Sequence, residues 1–443
     1  MTPVLATRIA EDFAAASHTS ADQQRQRAMQ ALAERGLPTG RDENWKYVNL
    51  RPLEKVRFAP PAAEAQATVT AQDLPAAIER YARYTFVDGV FAPSLSVPTA
   101  HAGVSVKSMR ASGATAHDPA ASRTDGANQA DAASAGMPPD LRFVLLNEAF
   151  ATDGALIQVA PGTDCQTCVE LVFVATTEAK AGSSYPRVRL DVGAGARVGL
   201  IERHVSIGSD ANFINSAVDV EVARDAFVQH YRLQQTGARA IWFDTLTANL
   251  AANAHYQLHM VNLGGLSARS TARVQLTGEH AEVGVFGVSV GGKNQVHDIF
   301  AVVEHIAPDA RTEQSFRGVS SGRARVAFNG KIIVHKGAHG TDSRQSLRGL
   351  LAGTDAEIDV RPQLEIYTDD VRCNHGATAG KLDDNMLFYL LSRGLDRETA
   401  QRLLKWAFLE DVVAKIEVPE LRRQIEHSLA SQLNETAALK ELF

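Results

Sequence analysis

Between residues 141 and about 380, apolar and polar positions alternate in short runs broken by Gly, Asn and Asp. Arg187-Val188-Arg189-Leu190, Ala217-Val218-Asp219-Val220-Glu221-Val222 and Val283-Gly284-Val285-Phe286-Gly287-Val288 are examples. This period of two predicts strands. No amphipathic stretch of 10–15 residues separates them, which argues against βαβ units. The strands also carry a loose repeat, in which one or two turn residues and an alanine precede each alternating run. It recurs at Ala196, Ala226, Ala254, Ala281, Ala310 and Ala356, at intervals of 30, 28, 27, 29 and finally 46 residues, the last broken by the similar Gly322-Arg323-Ala324-Arg325. A period in the range of 20–50 signals stacked units. Two strands and two corners fit that length, so a β-helix of stacked rungs is expected. A sandwich or barrel would need tight hairpin turns. Only Asp88-Gly89, Asp125-Gly126, Asp153-Gly154 and Asn329-Gly330 offer the Asn-Gly or Asp-Gly signal.

The flanks follow a helical period. Ala10, Phe13, Ala14, Met29, Leu32 and Ala33 recur among Glu, Arg and Gln, with Gly36 placed to end the helix and Pro38 to stop its resumption. Glu43-Asn44-Trp45-Lys46-Tyr47-Val48 reads as an aromatic turn that seats this helix on the next module. From about 381 three helices are expected. Asp383 or Asp384 caps the first, which Gly394 ends; Asp396 caps the second; Pro419 opens the third. They would serve either as a cap on the solenoid end or as a docking surface. Residues 111–139 hold almost no large apolar side chain and cannot offset their ordering entropy, so a mobile insertion is expected there. The expected domains are therefore a helical and mixed module (1–110), the insertion (111–139), the β-helix core (140–380) and a helical module (381–443).

Composition narrows the class. Hydrophobic residues make up 45% and charged residues 22%, as in a soluble folded protein. The net charge of −6 gives no basic surplus for nucleic acid. No secretory signal is visible at the N-terminus, and no apolar run approaches the ~18 residues of a membrane span. The 3 cysteines cannot form a disulfide framework, so a reducing cytoplasm is the expected compartment.

Four motifs carry candidate chemistry. Gly287 to Lys293 nearly matches a phosphate-binding loop, but Asn294 stands where a magnesium-binding hydroxyl is needed, and a strand-like run follows instead of a helix. Cys165-Gln166-Thr167-Cys168 also precedes a strand-like run, whereas a redox CxxC opens a helix, so incidental corner cysteines are expected. His335 and His339 are flanked by Gly337 and Gly340, which argue against a metal-binding helix face. The fourth is Arg372-Cys373-Asn374-His375-Gly376. In a strand, Cys373 and His375 project side by side. A neighbouring imidazolium lowers a thiol pKa, and thiolate is the form that attacks sulfur or binds iron. The spacing fits equally a small buried Cys beside a hydrogen-bonded core His.

The chain resembles the SufD branch of the SufB/SufD family of iron–sulfur cluster assembly proteins. The resemblance runs from Pro362-Gln363-Leu364-Glu365-Ile366 through Asp370-Val371-Arg372-Cys373-Asn374-His375-Gly376-Ala377-Thr378 to Leu387-Phe388-Tyr389-Leu390-Leu391-Ser392-Arg393-Gly394 and Ala407-Phe408. It extends to Gly36-Leu37-Pro38-Thr39, Glu43-Asn44-Trp45-Lys46-Tyr47 and Leu146-Asn147-Glu148-Ala149-Phe150, and so spans most of the chain. It implies a right-handed parallel β-helix between two helical modules, a mainly β fold. It also implies a non-enzymatic scaffold that pairs with SufB through the β-helix and docks the ATPase SufC through its C-terminal helices, where ATP hydrolysis would reside. Leu387, Tyr389, Trp406, Phe408 and Leu409 are the expected docking residues. The family's cysteine and histidine fall on Cys373 and His375, expected to contact iron, sulfur or a transient cluster shared with SufB. A homodimer of the isolated chain and a flavin in the assembled complex stay open under the resemblance.

Two other classes compete. A carbohydrate-active β-helix enzyme would need clustered acids. Glu202, Asp219, Glu221, Asp355, Glu357 and Glu365 are scattered instead. A redox protein would need an easily reduced Cys165–Cys168 disulfide.

Overall fold

A computed structural model describes residues 3–16, 22–61, 69–99, 101–112, 141–176, 180–208 and 211–433. From residue 113 onward the insertion expected at 111–139 lies outside the described residues.

The core is a parallel β-solenoid of about 8 turns. Each coil adds one strand to a 10-stranded sheet and the next to a 9-stranded sheet, so that alternate strands in sequence become neighbours in space. Registers run unbroken for several coils: Ile241 pairs with Ser267, Ser267 with Val296, Val296 with Arg325 and Arg325 with Glu357. The predicted β-helix is thus present, flattened into two facing walls.

The alanine repeat has a steric origin. Ala196, Ala226, Ala254, Ala281 and Ala310 each sit immediately before a strand of the ten-stranded sheet and are fully buried in the corner. The residue before each is Gly195, Asp225, Asn253, His280 or Asp309, with φ of 67, 59, 54, 59 and 56°. Such left-handed positions favour Gly, Asn and Asp, which explains the turn residues in the pattern. Ala356 belongs to a different series. It precedes Glu357 in the nine-stranded sheet, in register with Arg325 after Ala324. The coil position after Ala310 falls to Thr341, because Arg311 pairs with Asp342. The 46-residue interval is therefore one and a half coils.

Inward side chains form the main core. Val198, Val228 and Val283 face Val220, Ala248, Val274 and Ala301 from the opposite wall. Helices cover both outer faces. Helices α1 (Pro3–Ala15), α2 (Asp22–Arg35) and α3 (Arg142–Phe150) cover the nine-stranded sheet, where Trp45 and Phe143 pack on Phe243 with ring centroids 6.0 and 5.0 Å away. Trp45 also lies under the Arg269 guanidinium at 4.1 Å. The aromatic turn therefore seats the helices as expected.

Helices α4 (Asp384–Ser392), α5 (Arg397–Val413) and α6 (Pro419–Gln432) end the described chain. Their caps are those the sequence predicts: Asp383 accepts from the N–H groups of Asn385 and Met386, Asp396 accepts from Thr399, and Gly394 has φ of 92°. They do not plug the solenoid end. Trp406, Leu409, Val412, Leu421 and Ile425 fold back onto Tyr231, Val261, Phe286 and Val319 on the outer face of the ten-stranded sheet. Parallel strands with helices on both faces need apolar residues on both sides of the sheet, which this packing satisfies.

The two solenoid ends differ. At the N-terminal end antiparallel strands close the sheets: Val90–Phe91 on Ala82–Val87, and Val104–Ser108 on Ala155–Val159. At the C-terminal end the outermost strands are Glu357–Ile366 and Arg372–Gly380, and no described strand covers either.

Candidate functional site

Cys373 and His375 lie on the outermost strand, Arg372–Gly380, where they pair with Ser343 and Gln345 of the strand below. The column beneath Cys373 descends through Ser343, Thr312, Val283 and Tyr256 to Val228, and its lower members are core residues. Cys373 therefore faces the solenoid interior. It is half-buried against Ile332, Val334, Ala338, Leu364 and Val371. His375, two residues on, shares that face and is exposed, with no described strand beyond its own. Opposite, Ile358 and Val360 of the last nine-stranded-sheet strand pack on the core, and Pro362 stands one rung above Gly330.

Among the described residues no strand takes up the backbone groups at this edge either. Arg372 donates its N–H to Thr341 at 2.8 Å. Backbone groups along a strand point alternately to its two sides, so those of Cys373 and His375 point to the uncovered edge. The end of the solenoid thus offers a thiol, an imidazole and unpaired peptide groups within one rung, walled by apolar side chains. Thiolate and neutral imidazole are both good iron ligands. Two side chains are fewer than the four ligands an iron–sulfur cluster takes. Among the described residues no group of three or more His, Cys, Asp or Glu stands where it could hold a metal.

The other motifs are occupied otherwise. Cys165 and Cys168 are free, buried cysteines within the strand Asp164–Ala175, not at a corner. A register shift between Cys165 and Val169 bulges the strand and turns both thiols into the core. Burial raises both thiol pKa values, well above the ordinary range for Cys168. Such thiols are poor nucleophiles. Gly287 lies inside the strand Glu282–Gly291, and a further strand, Val296–His305, follows Lys293, so no helix N-terminus is available for phosphate. His335 bonds Glu304 at 3.1 Å from a corner.

Five of the six scattered acids are likewise engaged. Glu202 is fully buried inside the solenoid with His230 at 2.8 Å and Arg232 at 2.9 Å. Asp219 accepts from Thr247 at 2.6 Å and Glu221 from Asn249 at 2.8 Å on the outer face. Arg325 pairs with Glu357, and Lys331 with Glu365 at 2.8 Å. No facing acid–base pair emerges among them, and the carbohydrate-enzyme alternative has no support here.

Of the five expected docking residues, Leu387, Trp406 and Leu409 are buried, the last two against the ten-stranded sheet. Phe408 is half-buried on the same cluster. Much of their apolar surplus is thus used by the chain itself. Tyr389 is exposed, joined on α4 by Met386 and Phe388 at 59% and 72%. Ile366 and Tyr367, beside the open end, are also exposed. Sequence reading missed Met386, Ile366 and Tyr367 because helical or strand period marks an apolar residue without saying whether its own chain covers it. No helix of the described residues is long and apolar enough to cross a membrane.

Comparison with known proteins agrees with this architecture. Residues 173–408 match the core domain of SufBD proteins of SUF-system FeS cluster assembly, and residues 6–171 match the SufBD N-terminal region. The chain is similar to the iron–sulfur cluster assembly protein SufD of Escherichia coli (strain K12), with 31% identity over 94% of each chain. It is also similar to an iron–sulfur cluster assembly SufBD family protein of Synechocystis sp., with 25% identity over 92% of this chain and 90% of the relative.

Proposed function

Because the chain belongs to the SufB/SufD family of iron–sulfur cluster assembly proteins, we propose that it is a scaffold subunit whose open solenoid end supplies half of an assembly site. The observation that carries this reading is the position of Cys373 and His375: both face the interior of the last coil, at the end where neither sheet is covered by a described strand.

Iron, sulfide or the nascent cluster is the cargo here. Cys373 as thiolate holds sulfur or iron, and His375 as neutral imidazole offers nitrogen. The missing ligands come from a SufB-type subunit stacked on the open end. Closure against Ile358, Val360 and Leu364 excludes water from the cargo. A site divided between two chains releases its cluster when they part, whereas a closed four-cysteine site retains it. Energy for opening would come from a SufC-type ATPase seated on the exposed residues of α4.

The test is His375→Ala in the chain co-expressed with its partners, followed by anaerobic iron and sulfide analysis. The expected result is loss of most bound iron and sulfide with the subunits still associated. Cys373→Ser should act in the same direction, less severely where a partner thiolate substitutes. Normal cluster formation in the His375 variant would sink the reading.

A further inference from the structure

The interior column beneath Cys373 and His375 changes character near the end of the solenoid. Lower down it is mostly apolar, with Val198 beside Leu200 and Val283 beside Val285, and its two polar members, Tyr256 and His230, bond each other at 2.8 Å. The next three rungs carry Thr312 with Gln314, Ser343 with Gln345, and Cys373 with His375, in continuous register. One column reads hydroxyl, hydroxyl, thiol. The other reads amide, amide, imidazole. Burying such groups costs free energy unless each finds a hydrogen bond, so three consecutive polar rungs, two of them directly under the pair, call for a cause.

The lower part of this polar stack is anchored. Thr312 Oγ1 lies 2.8 Å from His305 Nε2, and Thr341 Oγ1 lies 3.3 Å from His305 Nδ1. Gln345 Nε2 donates to Gln314 Oε1 at 2.9 Å. Gly330 on the facing wall makes room for the two amides, since a methyl there would come within 2.6 Å of Gln314 Oε1 and 3.2 Å of Gln345 Nε2. The upper part is not closed. Gln345 Oε1 and Ser343 Oγ are both buried without a hydrogen-bond partner. Both residues belong to the rung directly under His375 and Cys373.

We propose that Gln345 and Ser343 are positioning residues for the pair above them. Gln345 Oε1 accepts the N–H of the His375 imidazole when the ring turns inward, which fixes one tautomer and directs the second ring nitrogen out of the open end. Ser343 Oγ–H donates to the Cys373 sulfur and holds its thiolate in line. Outer groups of this kind orient ligating histidines, and their loss typically costs about 10–100-fold in metal affinity. The inference rests on the reading of Cys373 and His375 as an assembly site.

The test is histidine 15N NMR of the full chain at neutral pH, with His375→Ala used to assign the resonance. The wild type and Gln345→Glu, which keeps an oxygen acceptor, should each hold His375 in one dominant tautomer. Gln345→Leu should relax it toward the mixture of a free imidazole. Gly330→Ala, which displaces the amides without removing them, should do the same and serves if the leucine variant fails to fold. An unchanged tautomer population in folded Gln345→Leu or Gly330→Ala overturns the proposal. In the assembled complex, Gln345→Leu should weaken iron(II) binding by about 10-fold or more. The two readings fail separately. A His375→Ala complex that assembles clusters normally removes the assembly role while the tautomer shift stands. A dead His375→Ala complex with no tautomer shift removes only the positioning role.

Discussion

His305 shows how a single residue sets the chemistry of the last coils. It is fully buried, and burial lowers its pKa to about 4. His297 and His259 are also buried and held at about 4 and about 3. The unfolded value is about 6.5. Above it all three are neutral in both states. As pH falls from about 6.5 toward 4 the unfolded chain takes up protons first, so their contribution to stability is lost across that window. Each histidine adds a slope of up to about 1.4 kcal/mol per pH unit. His305→Gln, which retains an amide for Thr312, should lower the pH slope of urea-unfolding stability between pH 6 and 4.5 by about that amount. A slope equal to wild type would show that His305 is not held neutral. At this scale the sequence was partly legible. The side-by-side placement of Cys373 and His375 follows from their spacing of two, and the Asp and Asn before the corner alanines follow from turn chemistry. The roles of His305 and Gln345 were not legible. Their partners Thr312, Thr341 and Gln314 come from other strands, and local pattern carries no information about which strands stack.

At the scale of elements, α4 and α5 look alike in sequence and differ in use. Leu409 of α5 is fully buried against the ten-stranded sheet, and Val412 and Val413 belong to the same packed cluster. Phe388 of α4 touches none of the core clusters and is 72% exposed. Leu409→Ala should therefore cost about 2–5 kcal/mol, as truncation of a packed core leucine does. Phe388→Ser should change stability by no more than about 0.5 kcal/mol, as surface changes do. If α4 seats the ATPase, Phe388→Ser should nevertheless abolish its co-purification. Denaturation midpoints and pull-down of the partner check both halves. Equal destabilisation by the two variants would refute the assignment of faces. The helices themselves were legible, since Asp383, Asp396, Gly394 and Pro419 mark their ends. Their packing surface was not. An amphipathic stripe states that a face is covered but not by what, and here the cover is a sheet whose strands lie as far as 221 residues earlier in the chain, as between Arg203 and Gln424.

For the whole molecule, the period of about 30 residues made the solenoid legible, while the contrast between its two ends was not. The N-terminal end is closed by antiparallel strands drawn from outside the repeat. Among the described residues the C-terminal end leaves two strand edges bare, a condition proteins normally avoid unless an edge is meant to be paired. The two edges are not equivalent. Glu357 donates its N–H inward to Ala324, so alternation turns Ile358, Val360, Pro362 and Leu364 to the open side of the nine-stranded sheet. Pro362 has no N–H to give and interrupts that edge. Along the ten-stranded sheet Arg372 bonds inward, leaving Cys373, His375, Ala377 and Ala379 outward without a proline among them. A partner strand should therefore pair with Cys373–Ala379, in the rung that carries the thiol and imidazole, so that docking and site completion become one event. Ala377→Pro removes one outward N–H and leaves the ladder to Asp342–Leu351 intact. Loss of that hydrogen bond, worth about 1–1.5 kcal/mol, should weaken association with the SufB-type subunit about 10-fold with little change in melting temperature. Thr378→Pro strikes the inward ladder and should lower the melting temperature instead. Wild-type association by folded Ala377→Pro would place the contact elsewhere.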